Sequence, residues 1–185
     1  MQEVLKVIKP STAEQVKVKK VINTFIKKLD SKLSNAKSIL GGSGAKDTWL
    51  SGNHDIDIFV QYDFKKYKDQ SSELSDLLKQ SLKKAFPKIK FNTIHGSRDY
   101  FQFIYETYHF EVVPIIKITK SKQALNITDI SPLHALWVNK HTKKLKDDIR
   151  LAKQFCRAND LYGAESYISG FSGYVLEILV ANFGS

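Results

Sequence analysis

The chain has 185 residues, 42% of them hydrophobic and 26% charged, so it can bury a core and is not a disordered basic tail. A formal net charge of +10 favours a polyanionic partner, either nucleic acid or a membrane surface. No apolar run approaches the roughly 18–20 residues that span a bilayer, and the N-terminus lacks the apolar core of a signal peptide. The single cysteine, Cys156, excludes an internal disulfide and a cysteine-based metal cage, and this pattern predicts a cytoplasmic protein.

The first predicted element is a helix that begins after Pro10-Ser11. Ser11 and Glu14 have the spacing of a capping box. Apolar residues then recur at helical spacing, which predicts a helix to about Ala36. These residues are Val18, Ile22, Phe25, Ile26, Leu29 and Leu33. A short strand, Ser38-Ile39-Leu40, is predicted next.

A glycine-rich turn follows that strand and precedes a second one. The turn, Gly41–Gly44, opens the stretch GGSGAKDTWLSGNHDIDIFV. From Asp55 to Gln61 polar and apolar residues alternate, which predicts a strand. A second helix is predicted from about Ser71 to Phe86, because its leucines recur at helical spacing and Pro87 ends it.

Three strand-like runs come next, and the rest of the chain has helical patterns. The runs are Ile89–Thr93, Tyr100–Tyr105 and His109–Ile118, and Glu106-Thr107 predicts a hairpin between the last two. Helices are predicted to end near Asn159 and to span Gly173 to Phe183. The pattern is that of an α+β fold, with a mixed sheet and helices first and a mainly helical portion from about residue 130.

Two carboxylates in the predicted strand suggest a metal site. Asp55 and Asp57 are two residues apart, so both point to the same side of the strand, about 7 Å apart at the backbone. A hard cation such as Mg²⁺ would relieve their mutual repulsion, and the glycine turn could offer backbone N–H groups to a phosphate. The turn is not a Walker loop. The alternative is a solvated Asp-x-Asp on an exposed edge strand.

A third acid strengthens the case for a metal site. Glu111 lies in an otherwise apolar predicted strand, HFEVVP, where a charge needs a partner. If this strand is a neighbour of Asp55–Val60, three acids converge. Three acids and a triphosphate can hold two Mg²⁺ ions for in-line displacement at phosphorus.

These residues resemble a known family. Gly42-Ser43, Thr48-Trp49-Leu50, Gly52 and DIDIF resemble the signature of DNA polymerase β-like nucleotidyltransferases, and more narrowly of the archaeal (class I) CCA-adding enzymes. The motifs EVVP, SPLH, YGAE and FSGY agree with the narrower family. The resemblance implies a polymerase β-like palm, with a mixed and largely antiparallel sheet, followed by the start of a helical neck.

The resemblance also implies roles for individual residues. Asp55, Asp57 and Glu111 would be the catalytic, metal-binding acids. The nucleotide would be bound by residues of the turn and of the later helices. These residues are Gly42, Ser43, Lys46, His134, Lys153 and Tyr162.

The sequence departs from the family pattern in three respects. Lys46 stands where many relatives have arginine, so a point charge replaces a bidentate fork. Glu111 stands where aspartate is usual. Family members continue well beyond the equivalent of Ser185, and the predicted domains are therefore a palm over residues 1–140 and the beginning of a central domain over 141–185.

The function that the resemblance implies is template-independent addition of CMP and AMP, from CTP and ATP, to the 3′ end of tRNA in the cytoplasm. Family members are often dimeric. Lys140, His141, Lys143, Lys144 and Lys146 form a basic run that is either a solvated helix face or a contact to RNA phosphates. The alternatives are another nucleotidyltransferase of the same fold, of the oligoadenylate, poly(A) or small-molecule type, and a non-catalytic RNA-binding module.

Overall fold

The computed structural model describes residues 1–53, 55–164 and 167–184. Its helices, in chain order, are α1 (Gln2–Ile8), α2 (Thr12–Asp30), α3 (Gly42–Lys46), α4 (Phe64–Tyr67), α5 (Leu74–Ala85), α6 (Ser131–His141), α7 (Lys146–Ala158) and α8 (Gly173–Phe183). Its strands are β1 (Ala36–Leu40), β2 (Asp55–Tyr62), β3 (Asn92–Ile94), β4 (Tyr100–Tyr105) and β5 (Tyr108–Ile116). Short 3-10 helices lie at Lys68–Glu73, Ser121–Gln123 and Ile127–Ile130. Among the residues described, no helix is long and apolar enough to cross a membrane.

The described residues fall into two compact units. The sheet unit comprises residues 16–42 and 54–133, and the helical unit comprises residues 1–15, 43–53 and 134–185. Each unit is therefore built from segments that are distant in sequence. The predicted division into 1–140 and 141–185 concerns family domains, and it stays a prediction.

The sheet unit is built around a mixed sheet. Within the described residues its strand order is β1-β2-β5-β4-β3. Only β2 and β5 run parallel, and the other neighbouring pairs are antiparallel. The predicted α+β class and largely antiparallel sheet are confirmed. The predicted proximity of the Glu111 strand to Asp55–Val60 is also confirmed, because β5 pairs directly with β2.

One face of this sheet carries the core of the sheet unit. Alternate residues of β2, from Ile56 to Tyr62, are buried, and α2 and α5 contribute apolar side chains to the same cluster. Phe25 of α2 lies against an aromatic group, with ring centroids 4.7 Å from Phe86 and 4.4 Å from Phe110. Burial of so many large side chains stabilises the strand pairing on which the acidic residues depend.

Several predicted boundaries were wrong. The first helix ends at Asp30 rather than near Ala36, because the Asp30 carboxylate accepts the backbone N–H of Ser38 (2.8 Å) and β1 already begins at Ala36. The second helix starts with a 3-10 segment and becomes α-helical at Leu74. The short helix α1 was not predicted.

The hairpin between β4 and β5 was predicted correctly. Glu106 and Thr107 connect the strands and both have positive φ angles, 47° and 74°. A two-residue turn with this conformation matches the natural twist of paired strands. The hairpin thereby fixes the register of β4 against β5.

The helical unit includes α1, α7 and α8. Ile8, Ile149, Cys156, Leu176 and Val180 are among its buried apolar residues. Glu14 does not complete the predicted capping box: its backbone N–H is 3.2 Å from Ser11 Oγ, but its carboxylate accepts from Ser51 Oγ and the Gly52 N–H (2.8 and 3.0 Å). Glu14 therefore anchors the 43–53 segment to α2.

Candidate functional site

The acidic strand pair, Asp55 and Asp57 on β2 with Glu111 on β5, lies on the face of the sheet opposite the core. The parallel register places Asp55 beside His109 and Asp57 beside Glu111. Neighbouring strands are about 4.8 Å apart, and side chains at paired positions share a face. Asp55 is exposed, and Asp57 and Glu111 are half-buried. The backbone thus brings together three carboxylates that are far apart in sequence.

Glu111 is oriented by the next strand. Its Oε2 accepts a hydrogen bond of 2.9 Å from Nε2 of Gln102, which is its partner in the antiparallel register of β4 and β5. This amide leaves other lone pairs of the carboxylate available. Gln102 was not identified from the sequence, and its position in the β4 pattern carries no signal for this role.

Gly42 shapes the backbone beside Asp57. The chain leaves β1 at Gly41, whose N–H donates to the Asp57 carbonyl (2.8 Å), and Gly42 has a φ angle of +52°. A Cβ atom on Gly42 would overlap the Asp57 carboxylate. Only glycine satisfies both requirements, the left-handed backbone and the close approach. Gly41 and Gly42 of the predicted turn are therefore packed against the second acid.

The three carboxylates are not gathered around one point. In the ranges that the structure describes, no group of three or more His, Cys, Asp or Glu side chains is placed to hold a metal ion. The donors are nevertheless all carboxylates, the ligand type that hard divalent cations prefer. Their shared face and register fit such an ion.

In the helical unit, two of the predicted nucleotide-binding lysines share one buried carboxylate. Lys46 of α3 lies 2.6 Å from Oε2 of Glu177, and Lys153 of α7 lies 3.0 Å from Oε1. Glu177, on α8, is fully buried, and we refer to Lys46 and Lys153 as the buried lysine pair. Burial acts to raise the pKa of Glu177, but Lys153 and Lys46 outweigh it and hold that pKa below its usual value.

Thr48 completes this buried network. Its hydroxyl donates to Glu177 Oε1 (2.8 Å) and accepts from Lys153 Nζ (2.8 Å). Lys153 also lies 3.3 Å from the Thr48 carbonyl oxygen. An ammonium group has three N–H donors, so Thr48 and Glu177 engage all three donors of Lys153. Burial lowers the pKa of Lys153, and Glu177 opposes this without cancelling it.

His134 lies against an aromatic ring of the same unit. Its ring stacks on Tyr174, with centroids 4.1 Å apart and planes 13° from parallel, and Lys46 Nζ lies 5.8 Å from the Tyr174 ring centre. Partial burial lowers the pKa of His134, and the charge of Lys46 lowers it further. A neutral imidazole is therefore favoured at neutral pH.

Tyr162 lies beside Gly173, the first residue of α8. A Cβ atom on Gly173 would be 2.8 Å from the Tyr162 hydroxyl oxygen, so the absence of a side chain at 173 makes room for that hydroxyl; Cε of Lys153 would lie at an ordinary contact distance of 3.6 Å. The Arg157 guanidinium lies 4.9 Å from the Tyr162 ring centre. Tyr162 and Lys153, both predicted from the resemblance, are thus brought together.

Ser43 and the basic run have more modest surroundings. Ser43 is half-buried in α3, and its carbonyl accepts the Thr48 N–H (3.0 Å). In the basic run, Lys146 donates to the Lys46 carbonyl (2.6 Å) and to Asn139 Oδ1 (2.7 Å). Lys146 therefore supports the backbone of α3, whereas Lys140 is exposed.

Two buried charged residues of the helical unit, Glu177 and Arg150, were not identified from the sequence. Glu177 is a lone charge in the apolar helix GYVLEILVANF, which is the same signal that identified Glu111. Arg150 was also missed; it is buried and binds Asp47, Asp147 and the Trp49 carbonyl. For Glu177 the available signal was a charge within an apolar helix, whereas Arg150 lies off the apolar face of α7 and its sequence position carries no such signal.

Comparisons with known proteins now identify the family. Residues 1–150 match the model of the Second Messenger Oligonucleotide or Dinucleotide Synthetase domain. The chain belongs to this family. Residues 147–185 match the model described as tRNA nucleotidyltransferase, second domain.

The most informative relatives are archaeal CCA-adding enzymes. The chain is 42% identical over 175 residues to the CCA-adding enzyme of Nanoarchaeum equitans, covering 94% of the chain and 43% of the relative. It is 32% identical to that of Pyrococcus abyssi, covering 100% of the chain and 42% of the relative. The chain thus spans less than half the length of these relatives. The predicted resemblance is confirmed.

Solved structures show the same fold at low identity. A structure of Cid1, described with its RNA terminal uridylyl transferase activity, matches with a TM-score of 0.69 at 16% identity, over 97% of this chain and 50% of that one. The CdnC:HORMA-deltaN complex of E. coli MS115-1 matches with a TM-score of 0.66 at 18% identity, over 96% and 60%. The polymerase β-like nucleotidyltransferase fold is therefore confirmed.

Proposed function

We propose that this chain carries the catalytic portion of a tRNA nucleotidyltransferase that adds CMP and AMP, from CTP and ATP, to the tRNA 3′ end. One observation carries the proposal: the parallel register of β2 and β5 places Asp57 beside Glu111, with Asp55 on the same face. The similarity to CCA-adding enzymes over nearly the whole chain supports tRNA as the substrate of this site.

The acidic strand pair would hold divalent metal, for which we propose two Mg²⁺ ions. Such ions, when bound, supply the positive charge that activates a hydroxyl and stabilises a leaving pyrophosphate. Asp55 and Asp57 would provide ligands from one strand and Glu111 from the next. Gln102 would keep the Glu111 carboxylate oriented through its hydrogen bond of 2.9 Å.

The triphosphate would be bound by Ser43, Lys46, His134, Lys153 and Tyr162, with Gly42 keeping the backbone close to Asp57. Lys46 is the strongest candidate among the lysines, because Glu177 takes one of the three donors of its ammonium group. Lys153 would have to give up one of its three hydrogen bonds in order to bind a phosphate. The 3.3 Å contact to the Thr48 carbonyl is the weakest of the three.

The RNA would be attracted by the net charge of +10. An acceptor stem is recognised by its shape and backbone rather than by its sequence. Lysines that bind phosphate therefore suit tRNAs, which share this end of the molecule. The exposed Lys140 is a candidate contact. We propose a cytoplasmic enzyme, with dimerisation as in many members of the family.

The test is nucleotide addition by the full-length natural protein. With Mg²⁺, CTP and ATP, it should extend tRNA that lacks its terminal CCA by CMP and AMP. Asp57→Asn should lower turnover by about a thousandfold, because a metal ligand is lost. Glu111→Gln should also lower turnover.

The matched control is Asp69→Asn, which changes an exposed aspartate in a 3-10 helix of the same unit. It should retain full activity. No extension of tRNA by the natural protein would refute the proposed function. Undiminished turnover of Glu111→Gln would refute the role of that residue.

A second candidate is favoured by the family match over residues 1–150: synthesis of an oligonucleotide or dinucleotide without tRNA. Incubation with single nucleotides, with or without tRNA or a poly(A) primer, separates the two. Products formed from nucleotides alone would favour the second candidate. RNA binding without any metal-dependent nucleotide binding would favour a non-catalytic module.

A further inference from the structure

We propose that Glu177 is a positioning residue, which fixes the buried lysine pair for triphosphate binding. The inference rests on the proposed function, because Lys46 and Lys153 are triphosphate ligands only under that proposal. It adds a residue that neither the family resemblance nor the sequence pattern assigned. Glu177 itself would not contact the substrate.

The geometry gives Glu177 a central place in the helical unit. Its carboxylate ties three segments together: Lys46 at 2.6 Å from α3, Thr48 at 2.8 Å from the segment after α3, and Lys153 at 3.0 Å from α7. Each segment is anchored to α8 through one pair of oxygen atoms. A displacement of Glu177 would therefore move both lysines at once.

The two lysines are held to different degrees. All three donors of Lys153 are engaged, and 4% of its side chain is exposed. Lys46 gives one donor to Glu177, and 12% of its side chain is exposed. Glu177 thus leaves Lys46 with donors for a further anion while keeping its ammonium group in one position.

The charges also favour binding of an anion. One carboxylate faces two ammonium groups in a region of low dielectric, so a positive charge remains uncompensated. Burial already lowers the pKa of Lys153 and so disfavours its charged form. Removal of the carboxylate would leave two buried ammonium groups side by side, and a buried cation without a partner responds by losing its proton.

The decisive variant is Glu177→Gln, which keeps the shape of the side chain and removes its charge. The Michaelis constant for CTP and ATP should rise about tenfold, as expected for loss of a charge-assisted contact. That constant should also become pH-dependent, because loss of the Glu177 charge would lower the pKa of Lys153 further and Lys153 would lose its proton more readily as pH rises. Since a neutral lysine binds phosphate less well, affinity should fall as pH rises.

The groups that face the buried lysine pair set this pH dependence. They lie on α3, α6, α7 and α8 and in the stretch before α8. They are Lys46, His134, Lys146, Lys153, Arg157, Tyr162, Tyr174 and Glu177. His134 would gain charge only at low pH, and this charge would also make nucleotide affinity fall as pH rises. Glu177→Gln must therefore be compared with wild type at each pH.

Two further variants separate positioning from folding. Glu177→Asp keeps the charge, so its affinity for nucleotide relative to wild type should be the same at every pH. Asp129→Asn removes a different buried carboxylate, paired with Arg98 at 2.6 Å in the sheet unit, and should lower stability without changing nucleotide affinity. A pH-dependent loss confined to Glu177→Gln is the expected result.

Direct binding of ATP, measured by titration calorimetry without tRNA, provides a second readout. If wild type binds ATP but does not extend tRNA, the proposed function fails and the inference is still decided by the binding of Glu177→Gln. Unchanged affinity and pH profile in folded Glu177→Gln would overturn the inference. If Glu177→Gln does not fold, a pH profile of binding by Glu177→Asp that differs from that of wild type would overturn it instead. Absence of ATP binding by wild type would overturn both proposals.

Discussion

The acidic strand pair of the sheet unit and the buried lysine pair of the helical unit differ in what holds them. Asp57 and Glu111 are placed by backbone pairing between β2 and β5, and their side chains stay half-buried. Lys46 and Lys153 are placed by side-chain contacts to one fully buried carboxylate, Glu177. The acids therefore depend on register, whereas the lysines depend on a single residue.

This difference predicts different responses to substitution. A backbone change near the acids should abolish activity, because the acids are placed by strand register. It should have little effect on the lysines, because they are placed by their contacts to Glu177. A change in the lysine network should alter stability and nucleotide affinity together. The three predictions below test these expectations, beginning with the largest effect.

Gly42→Ala should disturb the acidic strand pair most strongly. The new Cβ would overlap the Asp57 carboxylate, and the φ angle of +52° is unfavourable for alanine. We expect turnover to fall about a hundredfold, the scale associated with misplacement of a reacting group by about 1 Å. Steady-state kinetics of nucleotide addition would measure this effect.

The matched control is Gly52→Ala. Gly52 also has a positive φ angle, +75°, but nothing lies within 4 Å of its Cβ position. It shares the backbone strain without the contact to Asp57. Equal losses of activity in the two variants would show that strain, and not the position of Asp57, explains the result.

Thr48→Val should weaken the lysine network by an intermediate amount. The substitution removes the hydroxyl that donates to Glu177 and accepts from Lys153, both at 2.8 Å, and keeps the volume of the side chain. We expect the free energy of unfolding to fall by about 2 kcal/mol. Thermal or denaturant unfolding followed by circular dichroism would measure this change.

Thr24→Val provides the comparison for this measurement. Thr24 is exposed on α2, where its hydroxyl donates to the Lys20 carbonyl. Its replacement should change the free energy of unfolding by less than about 0.5 kcal/mol. A loss for Thr48→Val as small as this would contradict the importance given to the buried network.

The smallest expected effect concerns His134. Burial lowers its pKa and Lys46 lowers it further, so Lys46→Met should move that pKa upward, toward the ordinary value of 6.5. Histidine ring resonances followed by NMR during a pH titration would show the shift. Lys140→Met, which removes an exposed charge of α6, should leave the His134 pKa unchanged. A downward shift in Lys46→Met would contradict the arrangement described.

Much of the fold could be predicted from local pattern. The alternation in β2, the hairpin at Glu106-Thr107 and the apolar helix α8 are each specified by consecutive residues. The end of α2 was misplaced because Leu33 continues the apolar spacing beyond Asp30, although the chain has already turned toward β1. A packed residue outside a helix can keep the helical period.

The candidate site could be predicted only in part. Glu111 was found because a charge in an apolar strand needs a partner, and β5 does neighbour β2. Glu177 carries the same signal, but the apolar residues around it predict only a helix. Its partners, Lys46 and Thr48, lie more than a hundred residues away, and no local pattern indicates a contact across such a separation.

The parallel pairing of β2 with β5 has a consequence for folding. Strands β4 and β5, which are antiparallel neighbours, are joined by a two-residue turn. By contrast, α4, α5, β3 and β4 lie between β2 and β5 in the sequence. Closure of so long a loop is slow and follows local hairpin formation. We expect Asp57 and Glu111 to meet late in folding, so that partly folded chains, in the cell or on the ribosome, lack the strand pairing on which the proposed metal site depends.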